Sequence, residues 1–152
     1  MIRFARVRIP FVFVIWLAVL GCQKHPQGHP VIDDFRAVER TTLQTFNGLL
    51  AQQRSNAIDE LGLADAIDKE VLPPWREMRA RIDAADVPPD ERELYVTLRR
   101  YVAERQTAWE AYSAALRSPN DTVGKPHYAT YHEQNAAADA DAQKLGEAFR
   151  KL

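Results

Sequence analysis

The chain contains 152 residues, carries a formal net charge of −1 at pH 7 and has a single cysteine. One cysteine excludes a disulfide within the chain, a zinc or iron–sulfur centre held by several cysteines, and a c-type haem attached at two cysteines. The length suits one ordinary domain and is short of two.

The first 22 residues follow the order of a secretory signal peptide. Three arginines lie among the first eight residues, an unbroken apolar run covers residues 11–20, and the small residue Gly21 precedes Cys22. Basic, apolar and small segments in this order are typical of secretory signals. The apolar run is about 10 residues long, whereas a helix that spans a bilayer needs roughly 20.

Because a cysteine occupies the cleavage point, residues 1–23 resemble the signal segment of bacterial lipoproteins. The resemblance implies cleavage before Cys22 and attachment of acyl chains, such as palmitate, to that cysteine. Several acyl chains give stable anchoring, since each buried methylene contributes about 0.8 kcal/mol. In this class an Asp after the cysteine favours the inner membrane, so Gln23 indicates the outer membrane. The alternatives are a plain secretory signal with an incidental cysteine and an uncleaved anchor.

This interpretation divides the chain into three parts. Residues 1–21 are the signal peptide, residues 22–32 hold the lipidated cysteine and a flexible tether, and residues 33–152 form the folded domain. Two prolines and one glycine in residues 23–32 disfavour a helix, and this segment spans roughly 30 Å when extended. After residue 22 the chain has 17 basic and 21 acidic residues, and this net charge of −4 argues against a nucleic-acid partner.

From residue 33 onward the spacing of the apolar residues predicts helices throughout. The predicted helices cover approximately residues 33–54, 56–84, 89–117 and a last stretch from Lys125 or Pro126 to Arg150. Pro73 and Pro74 interrupt the second helix, so we expect a kink there, or two helices that meet with the prolines in a first turn. Four helices of roughly 20–30 residues with short connections predict an all-α fold, an antiparallel up-down-up-down four-helix bundle.

The apolar faces of the first three predicted helices carry large aromatic residues, and we expect Phe46, Trp75 and Trp109 in the core. Arg105 is the only charged residue on the apolar face of the third helix. We expect its side chain to extend outward along Trp109, with its charge in water.

Residues 127–133 carry the strongest candidate for a binding or acid–base site, because two histidines and two tyrosines occur there. His127 and His132 are five residues apart, so on a helix they diverge by about 140° and do not chelate one ion together. The segment therefore favours a helix start with Tyr128 and Tyr131 packed on the third helix and both histidines at the surface.

Met78 and a histidine of the last helix are candidates for the axial ligands of a haem bound in the bundle. A methionine on an apolar face is more often a core residue, and this interpretation is favoured. His25 and His29 in the predicted tether are candidates for loose metal binding, but a flexible segment is a poor preorganised site. Motifs for a di-metal centre, a nucleophile elbow or a phosphate loop are absent from the sequence.

These observations predict a non-enzymatic, lipid-anchored bacterial lipoprotein without a cofactor or metal ion. Its helical bundle is expected to face the periplasm as a binding or structural module, with a partner protein in the cell envelope. The alternative is a four-helix bundle that binds haem or a small apolar molecule, and absorbance in the haem Soret region separates the two.

Overall fold

A computed structural model describes residues 30–152, and these residues form a bundle of helices. No strand occurs within this range, so the predicted all-α bundle is confirmed. None of its helices is long and apolar enough to cross a membrane. The elements are α1 (Pro30–Arg54), α2 (Glu60–Ala66), a π-helical turn (Ile67–Val71), α3 (Leu72–Asp83), a 3₁₀ turn (Pro89–Glu91), α4 (Arg92–Leu116) and α5 (Asp121–Phe149).

Helix α1 begins at Pro30, three residues before the predicted start at Asp33. Proline is favourable in a first turn because its missing N–H has no partner there in any helix. Ile32, predicted to be part of the tether, is buried and belongs to the core. The predicted signal peptide and residues 22–29, including Cys22, His25 and His29, lie outside the described residues.

The predicted interruption at Pro73 and Pro74 is a junction between two helices. Both prolines lie at the start of α3, directly after the π-helical turn Ile67–Val71. Neither proline can donate to the carbonyl four residues earlier, and each ring crowds that carbonyl. A π-helical turn has the wider backbone that such a site favours, and it allows α2 and α3 to follow one another without a loop.

The core is built around a cluster of aromatic rings contributed by α1, α3 and α4. Trp75 and Trp109 meet edge to face with ring centroids 5.0 Å apart, and Phe46 lies 5.5 Å from Trp109. The indole Nε1 of Trp75 donates a hydrogen bond of 2.9 Å to the Val102 carbonyl. All three predicted core aromatics are therefore confirmed as buried.

Helices α4 and α5 run in opposite directions, because their side chains pair in reverse order. Arg100 near the start of α4 contacts Asp141 near the end of α5, and Tyr112 near the end of α4 contacts Tyr131. The last turn of α5 also reaches α1, where the rings of Phe149 and Phe35 are 6.2 Å apart. The up-down-up-down order of the bundle as a whole stays a prediction.

Truncation of the central aromatic pair is expected to be severe. Trp75→Ala or Trp109→Ala should each lower the free energy of unfolding by about 3–5 kcal/mol, because a large cavity remains. Urea denaturation followed by far-ultraviolet circular dichroism measures this loss. Val96→Ala on α4 is the control, since Val96 is 57% exposed, and its expected effect is below about 0.5 kcal/mol. A loss below about 1 kcal/mol at both tryptophans would contradict the described core.

Candidate functional site

The segment around the two α5 histidines has the arrangement that the sequence favours. Tyr128 and Tyr131 both pack on Tyr112 of α4, with ring centroids 6.1 and 4.7 Å from it. His127 and His132 are exposed, and the His132 ring lies 5.1 Å from that of Tyr131. The tyrosines attach the first half of α5 to α4, and the histidines do not converge on one point.

The predicted start of the last helix at Lys125 or Pro126 is wrong. Helix α5 begins at Asp121, where the Asn120 side chain accepts a hydrogen bond of 3.1 Å from the Val123 N–H. This side-chain cap and the packing of Tyr128 and Tyr131 on Tyr112 together offset the helical hydrogen bond that Pro126 removes. The free N–H groups of the helix start therefore lie before Pro126, and they do not act on His127.

Met78 lies in the apolar core and is 1% exposed, whereas His132 is at the surface. Met78 belongs to α3, and no Cα atom of α3 lies within 8 Å of one of α5. The structure therefore does not bring Met78 and the α5 histidines together as an opposed pair of ligands. Within residues 30–152, three or more His, Cys, Asp or Glu residues nowhere meet in a metal-binding arrangement.

The expectation for Arg105 is wrong, because this side chain is buried in the bundle and only 6% of the residue is exposed. Its guanidinium donates to the side-chain oxygen of Asn135 and, at 2.6 Å, to Asp139, both on α5. It also lies 5.5 Å from the ring centre of Tyr101. Acceptors on the facing helix pair with the two terminal nitrogens, so the charge need not extend to water, while the buried Nε has no hydrogen-bond partner within residues 30–152.

Tyr101 continues this group of polar contacts to α1. Its hydroxyl donates a hydrogen bond to the carboxylate of Glu39, and burial raises the pKa of both groups. We call Glu39, Tyr101, Arg105, Asn135 and Asp139 the polar seam. It links α1, α4 and α5, and Glu39 has no signal in the sequence beyond lying on the edge of the α1 apolar face.

Asp141 forms a second ionic contact between α4 and α5, and only 3% of this residue is exposed. Its carboxylate accepts a hydrogen bond of 2.8 Å from Arg100 and another of 2.8 Å from Lys144. The hydrogen bonds from Arg100 are the main cause that lowers the pKa of Asp141. Burial and the Asp141 charge raise the pKa of neighbouring Glu104. Charges are thus mutually neutralised here, which is the pattern of structural ion pairs.

Two surface features remain. A groove of about 470 Å³ lies between the start of α4 and the end of α5, and we call it the α4–α5 groove. At the other end of α5, three large apolar side chains are exposed: Leu61 at 59%, Val123 at 47% and Tyr128 at 36%. Arg117, directly after α4, donates a hydrogen bond of 2.8 Å to Asp65 of α2, and α5 begins at Asp121, so α2 and the start of α5 lie at the same end of the bundle. We call Leu61 and Tyr128 the tip patch; Val123, five residues before Tyr128 on α5, faces about 140° away from it.

Comparison with protein-family models, curated proteins and solved structures finds no match to this chain.

Replacement of Asp141 should reveal the ionic contact between α4 and α5. Asp141→Asn is expected to lower the free energy of unfolding at pH 7 by about 1–3 kcal/mol, because Arg100 and Lys144 lose a charged acceptor. The folded-state pKa of Asp141 lies below its ordinary value of 3.8. The contribution is therefore fully present above that value and is lost as the pH falls through the folded-state pKa.

Urea denaturation from pH 7 down to pH 3 should show the stability gap between the wild type and Asp141→Asn beginning to narrow below pH 3.8. Glu77→Gln is the matched control, because Glu77 is an exposed carboxylate on α3, and its expected effect is within about 0.5 kcal/mol at every pH. A gap between wild type and Asp141→Asn that does not change with pH would show that the loss comes from packing and not from charge.

Proposed function

We propose that this protein is a bacterial lipoprotein, anchored by lipid on Cys22, whose helical domain is a non-enzymatic binding module facing the periplasm. The observation that carries the proposal is the order of arginines, apolar run, Gly21 and Cys22 in the first 22 residues. Gln23 after the cysteine supports the outer membrane as the location.

The buried polar groups of the described domain are paired with one another between helices, and this supports a binding module rather than an enzyme. Arg105 contacts Asn135 and Asp139, and Asp141 contacts Arg100 and Lys144. These groups neutralise one another and connect helices. An enzyme of acid–base type needs a titratable group that is free to exchange a proton with a substrate, and these buried groups are instead paired with one another.

The tip patch supports a protein partner for the module. Helix α1 begins beside the end of α5, where Phe35 contacts Phe149, whereas Tyr128 lies near the start of α5. Helix α5 has 29 residues, and at 1.5 Å per residue it is about 43 Å long. The tip patch is therefore at the end of the bundle remote from the point where the chain arrives from Cys22, and exposed apolar groups there favour binding to another protein.

Replacement of the anchored cysteine tests the first half of the proposal. Cys22→Ser should remove the protein from the detergent-requiring membrane fraction, either as unprocessed precursor or as soluble periplasmic protein, because the acyl chains have no attachment site. Fractionation and labelling with radioactive palmitate measure this. Gln23→Asp is the control, because it keeps the cysteine and should stay lipid-labelled while moving to the inner membrane. A Cys22→Ser protein that is still mature and membrane-bound would contradict the lipid anchor.

The tip patch is tested by a photo-reactive amino acid placed at single positions in living cells. A probe at Leu61 or Tyr128 should form a cross-link to one envelope protein, because the partner covers both positions. The control probe at Val96 on α4 is 57% exposed and lies outside the tip patch, so it should form no such product. Tyr128→Ala combined with the Leu61 probe should weaken the same product. Equal products from Leu61 and Val96 would contradict binding at the tip patch.

A further inference from the structure

The α4–α5 groove combines apolar and acidic side chains. Leu94, Leu145 and Leu152 form its apolar part, and the charged side chains are those of Asp90, Glu91, Glu93, Glu147, Lys144 and Lys151. Lys144 is already paired with Asp141 at 2.8 Å. The groove therefore has an excess of negative charge and an apolar floor, a combination that favours a short, basic, extended segment of chain.

The acidic side chains at the mouth of the groove are available for a basic partner. Asp90, Glu93 and Glu147 are exposed, and none of the ion pairs within residues 30–152 includes them. Asp90 lies in the 3₁₀ turn directly before α4, Glu93 lies in the first turn of α4, and Glu147 lies in the last turn of α5. They border the groove from both helices, so one cationic side chain in the groove is close to carboxylates on either side.

The chain enters α1 next to this groove. Phe35 of α1 packs against Phe149 at 6.2 Å, and the Arg36 guanidinium lies 4.9 Å from the same ring. Phe149 directly follows Ala148, which lines the groove. The segment that precedes Pro30 therefore starts within a few residues' reach of the groove, since seven residues span roughly 25 Å when extended.

Residues 23–29, Gln-Lys-His-Pro-Gln-Gly-His, have the chemistry that the groove favours. They contain one lysine, two histidines and no acidic residue. Pro26 and Gly28 disfavour a helix, so this segment enters a groove in an extended form. Lys24 is the only lysine before residue 30, which makes it the natural counter-charge for the groove carboxylates.

We propose that residues 23–29 bind in the α4–α5 groove of their own domain, with Lys24 against the carboxylates of Asp90, Glu93 and Glu147. The effect of this binding on the distance between the domain and the membrane rests on the proposed function, in which lipid on Cys22 anchors the chain. With the segment bound, the domain is held close to the lipid on Cys22. With the segment released, the domain gains roughly 25 Å of reach, which brings the tip patch to partners farther from the membrane.

A zero-length carbodiimide cross-linker tests this, because it joins an amine to a carboxylate only when the two are in direct contact. The full chain is purified from envelopes in detergent at low salt, treated and digested, and the products are identified by mass spectrometry. Lys24 should be joined to Asp90, Glu93 or Glu147. Lys24 joined to Asp33 or Asp34 at the nearby start of α1 serves as an internal reference for reaction efficiency.

Reversal of the groove charge should selectively lower the yield of the cross-link between Lys24 and the groove. In Glu93→Lys/Glu147→Lys, joining of Lys24 to Asp90 should fall about fivefold relative to the internal reference, as expected for the loss of two surface charge pairs. Glu77→Lys on α3 is the control of equal charge change and should leave the ratio unchanged. One molar salt should lower the ratio in the wild type without any substitution.

Cross-links from Lys24 spread over carboxylates outside the groove, or a ratio insensitive to both charge reversal and salt, would overturn the proposal. Contact between Lys24 and the groove does not require lipid on Cys22. Lost lipid labelling with an intact cross-link rejects the anchor alone, and intact labelling without the cross-link rejects the bound segment alone.

Discussion

The edge-to-face contact between Trp75 and Trp109 is the interaction on which the placement of the other elements depends. It joins α3 to α4, and the Trp75 hydrogen bond to the Val102 carbonyl determines how far the two helices are displaced along one another. Phe35 and Phe46 of α1 pack on the two indoles from the same side. Two rigid rings of this size tolerate few alternative arrangements, so α1, α3 and α4 form one well-determined unit.

Helix α5 is attached to this unit in a different way. Its apolar face is thin, and its buried side chains include Asp141 beside Ala138 and Leu145. Ionic and hydrogen-bonding contacts to Arg100 and Arg105 therefore supply much of the stabilisation that apolar packing supplies for the other helices. Such contacts depend on direction and distance, so they select one register of α5 on α4 more sharply than apolar packing alone would. They also make the attachment of α5 sensitive to pH and salt.

The titratable groups near α5 act on stability in opposite directions. Asp141 stabilises the fold above pH 3.8 and stops doing so as the pH falls through its lowered pKa. Glu39 and Glu104 have raised pKa values, so their contribution is fully present below 4.5 and is lost as the pH rises through their folded-state pKa. Both proposed surfaces include part of α5, since the tip patch contains its first turns and the groove its last. Helix α5, whose attachment to the rest of the bundle is the most polar, thus carries part of both surfaces.

The sequence by itself determined the helical class and the core. Apolar spacing at helical steps placed Phe46, Trp75 and Met78 inward, and Pro73 with Pro74 marked the junction before α3, because these are local consequences of side-chain chemistry and backbone geometry. The tertiary structure alone decided where Arg105 and Glu39 lie, since burial of a charge depends on partners that are distant in the chain. It also decided that Pro126 lies inside α5, because the Asn120 cap and packing on Tyr112 together outweigh one lost hydrogen bond. The α4–α5 groove, formed by segments more than forty residues apart, has no local signal, because no sequence pattern records which helix ends meet.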